Sequence, residues 1–432
     1  MKCVIMAGGR GTRISSIAAH IPKPMIKIGK KPVLEHGIDN LRGQGITDLI
    51  ITVGHLGSVI IDYFGDGSKK SPVTKEPFGV HIEYFVEEQL LGNAGALFYL
   101  KERLSEDFLL LNGDCIFNID FHRFIEFHRV KGGLVTLFTH PNSHPYDSGL
   151  IVTDSCCAVT EWITKEDVRP RYYKNRVNAG LHILSKEVLK KKEASEIVDL
   201  DRHILKPLAG TGCMFAYDSS EYVKDMGTIE RYQMVCKDFE QQKISGRNIK
   251  YKQRAIFIDR DGTLNRYVGF LRSPCDLELL PKSGEAVKKI NESAYLAVLV
   301  TNQPVIARGE VTFEELELIH NKLETLLGEA GGYLDRLYFC PHHPERGYAG
   351  ERTEYKTDCD CRKPKPGMLL RAAKELNIDL SESWMIGDSE SDIEAGKRAG
   401  CKTALIGSNR KAEADIYVNS LYEFTEKIIC SV

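Results

Sequence analysis

Apolar and polar positions follow two alternating rhythms along the 432-residue chain. The apolar runs Lys2–Met6, Leu49–Val53, Phe108–Leu111 and Leu134–Thr139 are too short for helices and predict buried strands. Between them, Val33–Arg42 places Val33, Leu34, Ile38 and Leu41 on one face, the spacing of an amphipathic helix. A second helix is predicted from about Thr228 to Lys243, followed by a polar stretch to Gln253. The strand pattern restarts at Arg254 and returns at Leu296–Val300, Trp384–Ile386 and Thr403–Ile406. Strands alternating with amphipathic segments predict an α/β fold with largely parallel sheets, in two domains. The expected boundaries are 1–240 and 254–432, with 241–253 as linker.

Composition narrows the function classes. The net charge of −2 gives no basic excess of the kind that nucleic acids or anionic membranes attract. No run approaches the roughly 20 apolar residues of a membrane span. Met1-Lys2-Cys3-Val4 leads straight into a strand pattern, so no signal peptide is expected and the expected compartment is the cytoplasm. Twelve cysteines in a chain of this length do not form a small disulfide scaffold, and reduced thiols are expected. Cys340, Cys359 and Cys361 are close enough in sequence to predict a metal instead.

Candidate chemistry falls at the ends of predicted strands in both halves. In the first, Gly8-Gly9-Arg10-Gly11-Thr12-Arg13 follows Lys2–Met6, and Pro22-Lys23-Pro24 comes next. Glycines allow backbone N–H groups close to a triphosphate, and Arg13 and Lys23 supply neutralising charge. Leu91-Gly92-Asn93-Ala94-Gly95 is a second small-residue loop, Leu110-Leu111-Asn112-Gly113-Asp114 ends a strand with an acid, and Lys224-Asp225-Met226-Gly227-Thr228 supplies another. These motifs, with Asn178-Ala179-Gly180, resemble those of the sugar-1-phosphate nucleotidyltransferases across residues 1–240. The resemblance implies a Rossmann-like domain in which Gly8, Gly9, Gly11, Thr12 and Gly92 hold the nucleotide. It further implies that Asn178 and Gly180 contact the sugar, and that Asp114 and Asp225 bind Mg²⁺. Lys165 is the candidate for the sugar phosphate, although Thr164 stands where the family carries a glutamate, so a solvated surface lysine is the equal alternative.

In the second half Asp259-Arg260-Asp261-Gly262-Thr263 ends a strand with paired carboxylates, and Thr301-Asn302-Gln303, Arg362-Lys363-Pro364 and Gly387-Asp388 follow. That order resembles the haloacid-dehalogenase (HAD) superfamily of phosphatases and implies a HAD-like Rossmannoid domain. By the resemblance, Asp259 is the nucleophile, Asp261 the acid–base, Thr301 and Lys363 hold the phosphoryl group, and Mg²⁺ lies on Asp259, the Asp261 carbonyl and Asp388. Asn302 and Gln303 are counted with the substrate contacts. Phe339-Cys340-Pro341-His342-His343-Pro344 and Cys359-Asp360-Cys361-Arg362-Lys363 narrow the resemblance to the branch holding the heptose-bisphosphate and histidinol phosphatases. Cys340, His342, Cys359 and Cys361 then form the implied structural Zn²⁺ site, family correspondence selecting His342 over His343. Arg362 is the candidate for a second substrate phosphate, and Tyr267, Gly269 and Phe270 match the branch's substrate loop.

Fusion favours the heptose branch, because a 7-phosphatase leaves the sugar 1-phosphate that a nucleotidyltransferase consumes. The expected protein is a bifunctional enzyme acting on small molecules, nucleoside triphosphate and heptose phosphates, for surface-glycan synthesis. The guanylyl version with the α-anomer is favoured by resemblance. The alternatives are an ADP- or CDP-linked or different sugar, a histidinol phosphatase joined to another transferase, or a catalytically silent sensor domain. A homo-oligomer is left open by the sequence.

Overall fold

A computed structural model describes residues 1–9, 20–190, 197–407 and 412–430. The chain divides into two units. The first comprises 1–140, 151–163 and 178–248; the second comprises 141–150, 164–177 and 249–432.

The first unit is built on a mixed sheet. Lys2–Ala7 lies between the parallel neighbours Asp48–Val53 and Asp107–Asn112, and His81–Val86 pairs with Asp48–Val53. These strands are apolar on both faces, and cores lie on each side: Ile5, Leu49 and Leu111 face one, Val4, Ile50 and Leu110 the other. The long strand Val177–Ser185 runs antiparallel to Asp107–Asn112. That direction departs from the largely parallel sheet expected, because alternation of apolar residues does not encode strand direction. Val33–Arg42 is helical over the residues that its periodicity defines, burying Val33, Leu34, Ile38 and Leu41. Cys115–Asn118 pairs antiparallel with Tyr222–Asp225, a two-stranded sheet not foreseen from sequence.

The second unit carries a six-stranded parallel sheet. Its order is Arg336–Cys340, Tyr295–Asn302, Arg254–Ile258, Trp384–Gly387, Lys402–Ile406 and Ile416–Val418. Arg254–Ile258 is central, so its Ala255, Ile256, Phe257 and Ile258 are buried from both sides. Segments 141–150 and 164–177, which lie within the first half of the sequence, pack in this unit. On the helix Phe313–Glu329, the Glu324 carboxylate accepts from Asn175 N at 2.9 Å and Arg176 Nη1 at 3.3 Å. Thr325 Oγ1 accepts from Tyr173 N at 3.0 Å. The charged pair is buried, so removing either partner would strand the other's charge.

Residues 241–253 are ordered. Lys243–Gly246 forms a short helix, and Asn248 Nδ2 donates to Asn118 Oδ1 in the first unit. The carbonyls of Ile249 and Lys250 accept from Asn377 Nδ2 in the second. No helix among the described residues is long and apolar enough to cross a membrane.

Candidate active sites

Parallel sheets present ligands at the carboxyl ends of their strands, and both sets of candidate residues follow such ends. In the first unit, Gly8 and Gly9 follow Lys2–Ala7. A Cβ on Gly54 would come 2.9 Å from the backbone oxygen of Gly8, so glycine at 54 permits this approach, whereas a Cβ on Gly8 would meet only the movable Glu87 carboxylate, 2.8 Å away. Burial raises the Glu87 carboxyl above its usual range. Gly11, Thr12 and Arg13 lie outside the described residues.

Lys23 occupies a single helical turn, Lys23–Met25, and its Nζ stands 3.4 Å from Asp114 Oδ2. Asp225 is paired opposite Cys115, the residue after Asp114, so pairing of two short strands brings both acids to neighbouring positions. Arg231 Nη1 reaches both Asp225 oxygens, at 2.9 and 2.8 Å. Arg231 is not announced by the sequence; it lies in the first turn of the helix Ile229–Glu240, and nothing in its spacing marks that pairing. Gly180 has φ of 75°, and a Cβ there would meet Asn112 Nδ2 at 2.3 Å. Asn178 Oδ1 accepts from Gly180 N at 3.2 Å and lies 3.0 Å from His182 Nε2. Gly92 has φ of 78°, and a Cβ would strike Val198 O at 2.4 Å. Lys165 is exposed in the Thr164–Asp167 turn, in a segment that belongs to the second unit, whereas Lys23, Asp114 and Asp225 belong to the first.

In the second unit Asp259 follows Arg254–Ile258, Thr301 lies near the end of Tyr295–Asn302, and Asp388 follows Trp384–Gly387. Lys363 is buried among them: its Nζ donates to Asp259 Oδ1 and Asp392 Oδ1, each at 2.6 Å, and to Val300 O at 2.8 Å. Its backbone is fixed by Asn302, whose Oδ1 accepts from Lys363 N and whose Nδ2 donates to Lys363 O, both at 3.0 Å. Burial opposes the lysine's charge, yet the two carboxylates outweigh it and the ammonium is held strongly protonated. Burial pushes the Asp259 carboxyl up to about 7; Lys363 opposes the shift, while Asp392 and Asp261 add to it. Burial, and then the Asp392 charge, raise Asp388 to about 6.

Asp259, Asp388 and Asp392 present carboxylate oxygens within 4.8 Å of one another. Asp392 is already engaged, accepting from Lys363 on one oxygen and from Ser389 N and Oγ on the other. Asp259 Oδ1 likewise takes Lys363, so the oxygens of this cluster left for a hard cation are Asp259 Oδ2 and those of Asp388. Gly262, with φ of 86°, makes room for Asp388, whose Oδ2 would lie 2.0 Å from a Cβ at that position. Asp261 turns away from this cluster towards Arg260, Gln303 and Asn265.

Cys340, His342, Cys359 and Cys361 form a second cluster. Their sulfurs lie 3.2–3.4 Å apart, and His342 Nδ1 lies 3.4 Å from Cys361 Sγ and 3.7 Å from Cys340 Sγ. Hydrogen bonds, first from Cys340, pull the Cys361 thiol down to about 5. His343 is turned elsewhere, accepting from Glu345 N at 3.2 Å and packing on Tyr348. Arg362 extends from the cluster and donates to His342 O at 3.2 Å. Tyr267, Gly269 and Phe270 are exposed on their loop.

The two units therefore have the layout of a nucleotidyltransferase and of an aspartate-based phosphatase. Residues 2–242 match the family model described as nucleotidyl transferase, and 360–424 match one described as HAD-hydrolase-like. A D-glycero-beta-D-manno-heptose-1,7-bisphosphate 7-phosphatase of Haemophilus ducreyi is 40% identical over 179 residues, covering 40% of this chain and 96% of that protein. The chain belongs to the nucleotidyl transferase family and, through its second half, to the family of that phosphatase, so it is a bifunctional transferase and phosphatase. Among solved structures, HddC from Yersinia pseudotuberculosis is similar at 25% identity and a TM-score of 0.46, covering 55% of this chain and 99% of that one. A D,D-heptose 1.7-bisphosphate phosphatase from B. bronchiseptica, complexed with magnesium and phosphate, is similar at 32% identity and a TM-score of 0.37, covering 42% and 99%.

Proposed function

We propose that this chain removes the C7 phosphate of D-glycero-D-manno-heptose 1,7-bisphosphate and then joins the heptose 1-phosphate to GMP from GTP, releasing pyrophosphate. One observation carries the reading: a single chain holds a nucleotidyl transferase and a half that is 40% identical to a phosphatase named for that bisphosphate. The product of the second activity is an acceptor for the first. Neither needs a membrane, and the cytoplasm is the proposed compartment.

In the phosphatase, Asp259 attacks phosphorus, which divides one difficult displacement into two easier ones. Lys363 neutralises the nucleophile's surroundings and holds Asp259 by a 2.6 Å hydrogen bond. Thr301 donates to a phosphoryl oxygen, and Asp261 moves the proton to and from the departing and attacking oxygens. Mg²⁺ on Asp259, Asp388 and the Asp261 carbonyl would supply charge neutralisation of the phosphoryl group. In the transferase, Lys23 and Arg13 offset the triphosphate charge while Asn178 and Gly180 orient the sugar. Asp114 and Asp225 would provide hard oxygen ligands for Mg²⁺, and Arg231 holds the Asp225 carboxylate at 2.8 Å.

A third metal site would be Zn²⁺ held by Cys340, His342, Cys359 and Cys361. Bonds of about 2.3 Å to sulfur and about 2.0 Å to nitrogen give tetrahedral edges of roughly 3.5–3.8 Å. His342 Nδ1, 3.4 and 3.7 Å from two of the sulfurs, matches the mixed edge, and the sulfurs, 3.2–3.4 Å apart, lie inside the sulfur edge, as in a cluster that would open slightly around an ion. Four protein ligands leave no place for a reacting water, so this metal is structural.

The base and the anomer follow the resemblance of the first half, guanine and α. The curated phosphatase relative is named for the β-anomer, so the assay includes both. Purified protein is given the α- or β-bisphosphate with GTP, ATP or CTP, and phosphate and pyrophosphate are followed together. The reading expects both products with GTP and the α-anomer. Pyrophosphate released only with another triphosphate would overturn the guanylyl assignment.

A further inference from the structure

Arg260, between the two catalytic aspartates in sequence, is fully buried. Its Nε and Nη2 reach both oxygens of Asp261, the shortest contact being Nη2 to Oδ2 at 2.9 Å. Nη2 also donates to Gln303 Oε1 at 3.0 Å. Gln303 Nε2 donates in turn to Asp261 Oδ2 at 3.1 Å and to Thr301 Oγ1 at 2.8 Å.

The chemistry fixes every direction in this lattice. A guanidinium has no acceptor, so the Gln303 amide must offer it oxygen. Its NH₂ then faces Asp261 and Thr301, both of which can accept. Thr301 Oγ1, having accepted, has its own hydroxyl proton left for another partner. Gln303 N donates to Cys340 O at 2.7 Å, which ties the amide's backbone to the neighbouring strand. The turn at Gly262, closed by Gly262 N to Asn265 O at 2.8 Å, folds Asp261 back onto the guanidinium.

We propose that Arg260 is a positioning residue of the phosphatase: by clamping Asp261 and Gln303 it holds the acid–base carboxylate and the Thr301 hydroxyl proton in one arrangement. This rests on the reading that Asp259 is the nucleophile and Asp261 the acid–base. In the first step an Asp259 oxygen bonds to phosphorus, the bond to the sugar oxygen breaks, and Asp261 passes its proton to that oxygen. In the second, water attacks phosphorus, Asp261 takes back a proton, and the bond to Asp259 breaks to give phosphate and a free carboxylate. A misplaced Asp261 matters most where the leaving oxygen needs the proton. A sugar alkoxide needs it, and a p-nitrophenolate does not.

The test measures kcat for the sugar bisphosphate and for p-nitrophenyl phosphate in the full chain. Asp261→Asn sets the reference and should lower the sugar-to-aryl ratio strongly. Arg260→Lys keeps the charge and loses the fork. Gln303→Met breaks the lattice without altering charge, and serves if Arg260→Lys fails to fold. Each should lower the sugar-to-aryl kcat ratio by at least about tenfold, because the loss of proton delivery from Asp261 falls on the sugar substrate, whatever both substrates lose at Thr301. If Asp261→Asn lowers the ratio while the folded variants leave it at the wild-type value, the positioning role of Arg260 is wrong. If Asp261→Asn itself leaves the ratio unchanged, the acid–base reading falls, and this proposal with it.

Discussion

Lys363 and Asp259 meet across 104 residues of sequence, Nζ to Oδ1 at 2.6 Å, inside a site from which both are almost closed to solvent. The lysine stands two residues after Cys361, so the cysteine–histidine cluster and the phosphatase centre share one short segment. Positioning of the lysine thus depends on what holds that segment.

If Zn²⁺ holds it, losing one ligand should release the 359–363 segment and loosen Lys363 against Asp259. Cys359→Ser is expected to lose the bound zinc and to lower phosphatase kcat by at least about tenfold. Nucleotidyl transfer should stay near wild type, because the cluster lies in the second unit. Elemental analysis beside both assays measures this. Zinc-free wild-type protein with full phosphatase activity would contradict it.

Arg362 donates to His342 O, and its planar fork suits a phosphate better than a lysine ammonium does. Arg362→Lys should lower kcat/KM for the bisphosphate by about tenfold or more, while p-nitrophenyl phosphate, which has no second anion, changes little. Steady-state kinetics on both substrates decide this. Equal losses would place Arg362 at the reacting phosphate or in the scaffold.

Proton linkage gives a third expectation. Without metal, Asp259 is raised to about 7 and Asp388 to about 6, against an ordinary value of 3.8. The folded metal-free state therefore binds protons that the unfolded chain has released, and these two groups stabilise it less as pH rises from about 4 to about 7. A cation must displace those protons, so Mg²⁺ affinity should rise across the same window. Titration calorimetry at about pH 5.5 and about pH 7.5 should show tighter binding at the higher pH and net proton release at the lower. Affinity independent of pH would contradict the protonated carboxyls.

Local signals carried much of this organisation. Val33–Arg42 is helical because its apolar spacing leaves little choice, and apolar runs ending at Ala7, Ile258 and Gly387 mark the strands that carry candidate loops. Contacts made at long range were silent. Nothing near Asp225 announces Arg231, and Gln303 reads as a substrate contact until its amide is seen between Thr301 and Asp261. The sequence offers His342 and His343 equally by spacing, and only the fold turns the second towards Glu345 N. Residues 164–177, with Lys165, belong by sequence to the first half and pack in the second unit through polar groups that find partners on the helix bearing Glu324. No residue pattern in that segment records the partner.

The central claim is that two separable sites act in order on one sugar. Asp259→Asn and Asp114→Asn proteins are each given heptose 1,7-bisphosphate with GTP, and separately heptose 1-phosphate with GTP, while phosphate, pyrophosphate and nucleotide-sugar are measured. Asp259→Asn should make no nucleotide-sugar from the bisphosphate and near wild-type amounts from the monophosphate. Asp114→Asn should release phosphate from the bisphosphate, accumulate heptose 1-phosphate and form no nucleotide-sugar. Loss of both activities in either folded variant, or nucleotide-sugar formed from the bisphosphate by Asp259→Asn, would contradict the account.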